Sequence, residues 1–190
     1  MSLTAEFLKS AFQEALNFED YLATGDAEQR KRWQEIYMAA TLNDKQKELL
    51  DGFVRQMNVL VVSGIWCGDC VEQCPLLMRI AEGSDNIHLR FLDRDANAEL
   101  RDQVAINTGA RVPVALFLAE DYALCSWYGD RSLNRYRHLA QKQMGAACST
   151  GLFVPDAEEL ALTLADWLNE FERIQLMLRL STRLRNKHQD

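Results

Sequence analysis

The sequence lacks any apolar run approaching the length that crosses a bilayer, so no membrane span is expected. The N-terminus, Met1 to Asp20, alternates apolar and charged residues. It has neither the short apolar core nor the small-residue cleavage site of a secretory signal. Basic charge is in deficit: 21 Lys and Arg face 28 Asp and Glu, a net charge of −7. That balance argues against nucleic acid and anionic membrane surfaces, which both recruit basic patches. Internal repeats and low-complexity segments are missing as well. The expectation is a cytoplasmic chain of one domain, with length to spare for an appendage, whose 48% hydrophobic residues suffice for a real core. In that compartment five cysteines do not read as a disulfide framework, and a close pair points to redox chemistry or metal binding.

Residues 1 to about 56 read as helical. Phe7, Leu8, Ala11, Phe12, Ala15 and Leu16 recur at helical spacing behind a candidate cap, Thr4. After Gly25-Asp26, a second helix carries Trp33, Ile36, Tyr37 and Ala40 on one face. Asn43-Asp44 opens a third, with Leu49, Leu50, Phe53 and Val54 apolar. Such faces pack on a main domain or dock a partner. From Asn58 the period changes. Asn58 to Val62 suits a strand buried on both faces, and helix-like sequence runs from Gly68 to about Glu82. Ile87 to Asp93 reads as a strand, Asn97 to Ile106 as a short helix, Val114 to Leu118 as a third strand and Ala123 to Tyr128 as its antiparallel neighbour. A basic helix follows from Arg131 to about Met144, with Arg131, Arg135 and Arg137 read as a solvated face. Pro155-Asp156 opens a long final helix, Glu158 to about Arg185. Its stripe of Leu160, Leu164, Trp167, Phe171, Ile174 and Leu178 is widened by Leu168, Met177, Leu180 and Leu184. That width leaves room for a homodimer through the C-terminal helix.

The chain is organised around Ser63 to Cys70: an apolar strand, a turn, then a helix whose first turn carries two thiols. Cys67 falls at the helix N-terminus, where unpaired N–H groups and the dipole favour a thiolate. A cysteine so placed titrates at roughly 3.5 to 7.5, against about 8.5 when free. Cys67 is the candidate nucleophile, and Cys70, three positions on, the resolving thiol. Gly68 permits close backbone approach. Asp69 adds a carboxylate that competes with the thiolate and is expected to raise its pKa, with Glu72 adding to the negative field. A Cys-x-x-Cys can also be half a zinc site, which normally needs a second pair. Cys125 and Cys148 lack metal-like spacing and His88, His138 and His188 are scattered, so no metal is expected. Cys74 and Cys125 read as core residues, and Cys148 as a thiol in a small-residue loop.

Trp66-Cys67-Gly68-Asp69-Cys70 resembles the thioredoxin signature Trp-Cys-Gly-Pro-Cys, with Asp for Pro. Pro75 resembles that family's helix-kinking proline. Asp93 to Asn97 looks like its strand-to-helix segment, and Val112-Pro113 like its cis-proline step. The likeness covers residues 57 to about 144 and the final helix. It implies an α/β thioredoxin-like fold: a central mixed β-sheet flanked by helices, with residues 1–56 as an N-terminal helical extension and 57–190 as the main domain. It further implies a protein-disulfide oxidoreductase using a Cys67–Cys70 redox disulfide and no other cofactor. Substrates would be protein disulfides, held by Val112 and Pro113 beside Trp66 and Gly68, with a thioredoxin-reductase-type enzyme as recycling partner. A redox-sensing or partner-binding module is the alternative. The family's buried acid and its companion lysine are replaced by Val61 and Phe91, and its usual first strand is not evident.

Overall fold

Four strands form one mixed sheet among residues 3–144 and 157–190, which the computed structural model describes. β1 (Met57–Ser63) is buried along its whole length because it runs inside the sheet with helices over it. It pairs in parallel with β2 (Ile87–Asp93) and antiparallel with β3 (Val114–Ala119). β3 pairs antiparallel with β4 (Leu124–Gly129), giving the order β2-β1-β3-β4. Ala123 falls just outside β4, and a register irregularity near Phe117 and Leu118 accompanies the turn. Val61 lies opposite Phe91, so the two positions where the family carries its acid and lysine are neighbours, both fully buried.

Four helices, not three, precede β1: α1 (Ala5–Glu14), α2 (Phe18–Ala23), α3 (Ala27–Ala39) and α4 (Asp44–Asp51). Thr4 caps α1, accepting from the Phe7 N–H at 3.2 Å, and reciprocal capping boxes open α3 at Asp26 and α4 at Asn43. The helix expected to run through Leu16 stops earlier. Leu16 instead exchanges two backbone hydrogen bonds with Phe91, of 2.9 and 2.8 Å, and covers the outer edge of β2. This one-residue bridge stands at the sheet edge and has no periodicity to announce it.

α5 (Gly68–Glu82) contains Pro75 and packs against α3 on one side and α8 (Ala157–Leu180) on the other. α6 (Ala98–Gln103) is shorter than its sequence suggests, and α7 (Leu133–Met144) starts two residues later. The final helix is two helices. Ser181 is extended and separates α8 from α9 (Thr182–His188), which buries Leu184. Arg183 pairs with Asp121, and Lys187 and His188 with Glu120, tying α9 to the β3–β4 turn. Leu168 is buried, whereas Met177 and Leu180 stay exposed, the latter at 76%. Cys148 and the start expected at Pro155-Asp156 lie outside the described residues. No helix among the described residues is long and apolar enough to cross a membrane.

Candidate functional site: a buried thiol chain beside a cis-proline loop

Cys67 is the N-cap of α5, and its backbone N–H donates to the Gly64 carbonyl at 2.9 Å. The turn that presents it is held from behind by the N-terminal helices. The buried Trp33 indole N–H donates to the Ile65 carbonyl at 3.0 Å, and Tyr21 and Ser63 share a buried hydroxyl hydrogen bond of 2.7 Å. Half-buried Cys67 directs its thiol at the Val112 carbonyl, 3.8 Å away, across the cis Val112–Pro113 bond. Gly68 is exposed, with open space where a side chain would stand. Cys70 lies fully buried beneath, and its sulfur accepts the Gly64 N–H at 3.4 Å. Cys67, Cys70 and Cys74 form a chain of thiols in mutual contact, running from the surface into the core.

The expected low thiol pKa does not hold in this reduced state. The hydrogen bond to Cys70 pushes the Cys67 thiol up, and burial adds to it, against the Cys70 backbone N–H. Cys70 is pushed up chiefly by burial. A helix N-terminus does not offset the loss of water around two adjacent sulfurs. Asp69 contributes the expected upward push on Cys67, though a smaller one.

Trp66 is 47% exposed and lies beside Cys67, its indole resting over Gly64, where an added Cβ would sit 2.9 Å from the ring. The Arg94 guanidinium stacks on it, 4.6 Å from the ring centroid, and donates to the Ala110 carbonyl at 3.2 Å. Arg94 thus connects Trp66 to the segment leading into Val112, a role the sequence reading missed. The reading of Arg131 and Arg135 as solvated is corrected, while Arg137 is exposed as expected. Arg131 grips Asp69 with both arms of its fork, at 2.9 and 2.6 Å. Arg135 is buried and pairs with Glu72 at 2.5 Å, Glu159 at 2.8 Å and, more loosely, Asp69 at 3.7 Å. These partners lie on different elements, so helical periodicity carried no sign of them.

The Gly129–Ser132 segment joins the thiol helix to the cis-proline loop. Gln73, fully buried, donates to the Asp130 carbonyl at 3.0 Å and accepts from the Ser132 N–H at 3.0 Å and the Trp167 indole at 3.2 Å. Asp130 accepts from Arg111 at 3.1 Å, and a Cβ at Gly129 would fall 2.2 Å from the Pro113 carbonyl oxygen. Cys74 is buried as expected, whereas Cys125 is only half-buried. Among the described residues, no group of three His, Cys, Asp or Glu side chains is arranged to hold a metal ion.

Solved structures share the architecture. A protein of unknown function from Pseudomonas aeruginosa matches 90% of this chain and 99% of its own at 20% identity, with a TM-score of 0.66. An HIV epitope scaffold matches 85% of this chain and 97% of its own at 19% identity, with a TM-score of 0.63. Likeness at this identity concerns the fold alone. No curated protein matches the chain. Residues 15–142 match a family model described as thioredoxin, and these begin at the Leu16 bridge and include α2 to α4. The chain belongs to the thioredoxin family, a redox-type module at the coarse level.

Proposed function

We propose that the protein is a thiol–disulfide oxidoreductase that reduces disulfides in extended protein segments laid along the Val112–Pro113 loop. The observation that carries this reading is the Cys67 sulfur, half-buried and aimed at the Val112 carbonyl, with the Cys70 thiol directly beneath it. The Cys67 thiolate attacks one sulfur of the substrate disulfide, and the other leaves as a thiolate. Cys70 loses its proton and attacks the Cys67 sulfur, releasing the second substrate thiolate. The substrate gains two electrons and two protons, and a Cys67–Cys70 disulfide takes their place. Trp66 and Gly68 flank the attacking sulfur and leave the approach open. The dithiol needs no further cofactor, and a thioredoxin-reductase-type enzyme in the cytoplasm would regenerate it. Because both thiols are pushed up, the first step quickens as pH rises above neutrality.

Insulin reduction with dithiothreitol tests the reading. Cys67→Ser should abolish turnover, and Cys70→Ser should accumulate a mixed disulfide on Cys67. Turnover persisting in Cys67→Ser removes the nucleophile. No turnover in the wild type, together with a redox-dependent change in partner binding, points instead to a sensor.

A further inference from the structure

The carboxylate inside the Cys-x-x-Cys pair is not free. Asp69 is 18% exposed and Arg131 27%, and they meet in a bidentate contact that closes 62 residues of chain. Arg131 does not reach Asp69 as a loose surface side chain. It stands between Asp130, locked by Gln73 and Arg111, and Ser132, whose N–H is also held by Gln73. Around Asp69, three guanidinium groups (Arg111, Arg131, Arg135) meet four carboxyl groups (Asp69, Glu72, Asp130, Glu159), with His138 3.4 Å from Glu159. The imbalance is relieved at Glu72, whose pKa rises to about 7 through burial, opposed by Arg135 and aided by Asp69 and Glu159. Arg131 stands against both oxygens of Asp69, where its positive charge opposes the carboxylate's outward field.

We propose that Arg131 is a positioning residue that sets the reactivity of Cys67 by neutralising Asp69 within the motif. The proposal deepens the oxidoreductase reading and rests on it for its biological use. An unneutralised Asp69 would oppose ionisation of Cys67, which shares the first turn of α5, and make the dithiol a stronger reductant. With the fork in place, most of that opposition is cancelled. The pair thus acts as a two-part setting: removing the anion and removing the cation should move Cys67 in opposite directions. A pair that served only to anchor the start of α7 would give two losses of the same sign.

The test is the pH profile of iodoacetamide alkylation, read on the Cys67 peptide by mass spectrometry in the full reduced chain. Asp69→Asn should lower the midpoint by about half a pH unit, roughly threefold more thiolate near neutrality. Arg131→Gln should raise it by a similar amount, Arg131→Lys should fall between Arg131→Gln and wild type, and the double variant should return close to wild type. The equilibrium potential against glutathione should become more oxidising in Asp69→Asn and more reducing in Arg131→Gln. Shifts of the same sign in both single variants, or none in either, overturn the proposal. If Arg131→Gln does not fold, Arg131→Lys against Asp69→Asn carries the same opposition of sign. Alkylation needs no substrate, so inactivity toward insulin would sink the oxidoreductase reading while leaving this measurement intact.

Discussion

α5 is one helix between two unlike environments. On one side Phe18, Tyr21, Trp33 and Phe91 form an aromatic cluster, with Tyr21 stacked on Phe91 at 5.2 Å and Trp33 edge-on to both. Its Phe91 faces Val61, the two positions matched above to the family's lysine and acid, and Tyr21 of the cluster shares a hydroxyl hydrogen bond with Ser63. On the other side Asp69 and Glu72 meet Arg131 and Arg135. On the apolar side burial raises the Cys70 thiol, because a thiolate there loses its water. On the polar side Arg131 and Arg135 pair with carboxyl groups, one of which, Glu72, burial pushes toward its protonated form. Ground-state protonation and electrostatic tuning are thus assigned to opposite flanks of the same two turns.

Removing the aromatic side should have the largest effect. Trp33→Ala deletes a fully buried indole and its hydrogen bond to Ile65, and should cost about 3–5 kcal/mol of stability in urea denaturation. Cys67 should also alkylate faster as its turn loosens. A cost below about 1 kcal/mol would mean that α3 is a mere cover. The polar side yields a pH signature. The folded pKa of Glu72, about 7, lies above its ordinary 4.5, so the folded state favours the protonated form. That stabilisation is full below pH 4.5 and is lost as pH rises through 7. Glu72→Gln should match wild type near pH 4.5 and exceed it by roughly 3 kcal/mol above pH 7. Parallel pH–stability curves for the two proteins would refute the strained carboxyl. The smallest effect belongs to the hydroxyl pair on the aromatic flank. Tyr21→Phe leaves Ser63 buried without that partner and should cost about 1–2 kcal/mol. If it also slowed release of the mixed disulfide in single-turnover reduction, the aromatic side would be handling protons and the contrast between flanks would weaken.

Much of the fold was legible because its signals are local. The bounds of β2 and α5 follow from where apolar period and turn residues change, and the cis bond at Val112–Pro113 from the family's register. Where periodicity was the sole guide, it overran. It carried α1 through Leu16 and fused α8 with α9, because a single sheet bridge and a single extended serine leave little imprint on composition. The site divides along the same line: Cys67 and Cys70 were legible as a pair, but their protonation was not, since burial depends on what α3 and β2 bring over them.

By itself the sequence determined the strand, the turn and the two-thiol helix start, since those rest on backbone geometry within a dozen residues. It also determined that Asp69 sits inside the pair. Only the tertiary structure decided what that carboxylate is worth. Its partner is Arg131, delivered by the segment that also packs on Pro113, and charge pairing across 62 residues exists only once separate elements have docked.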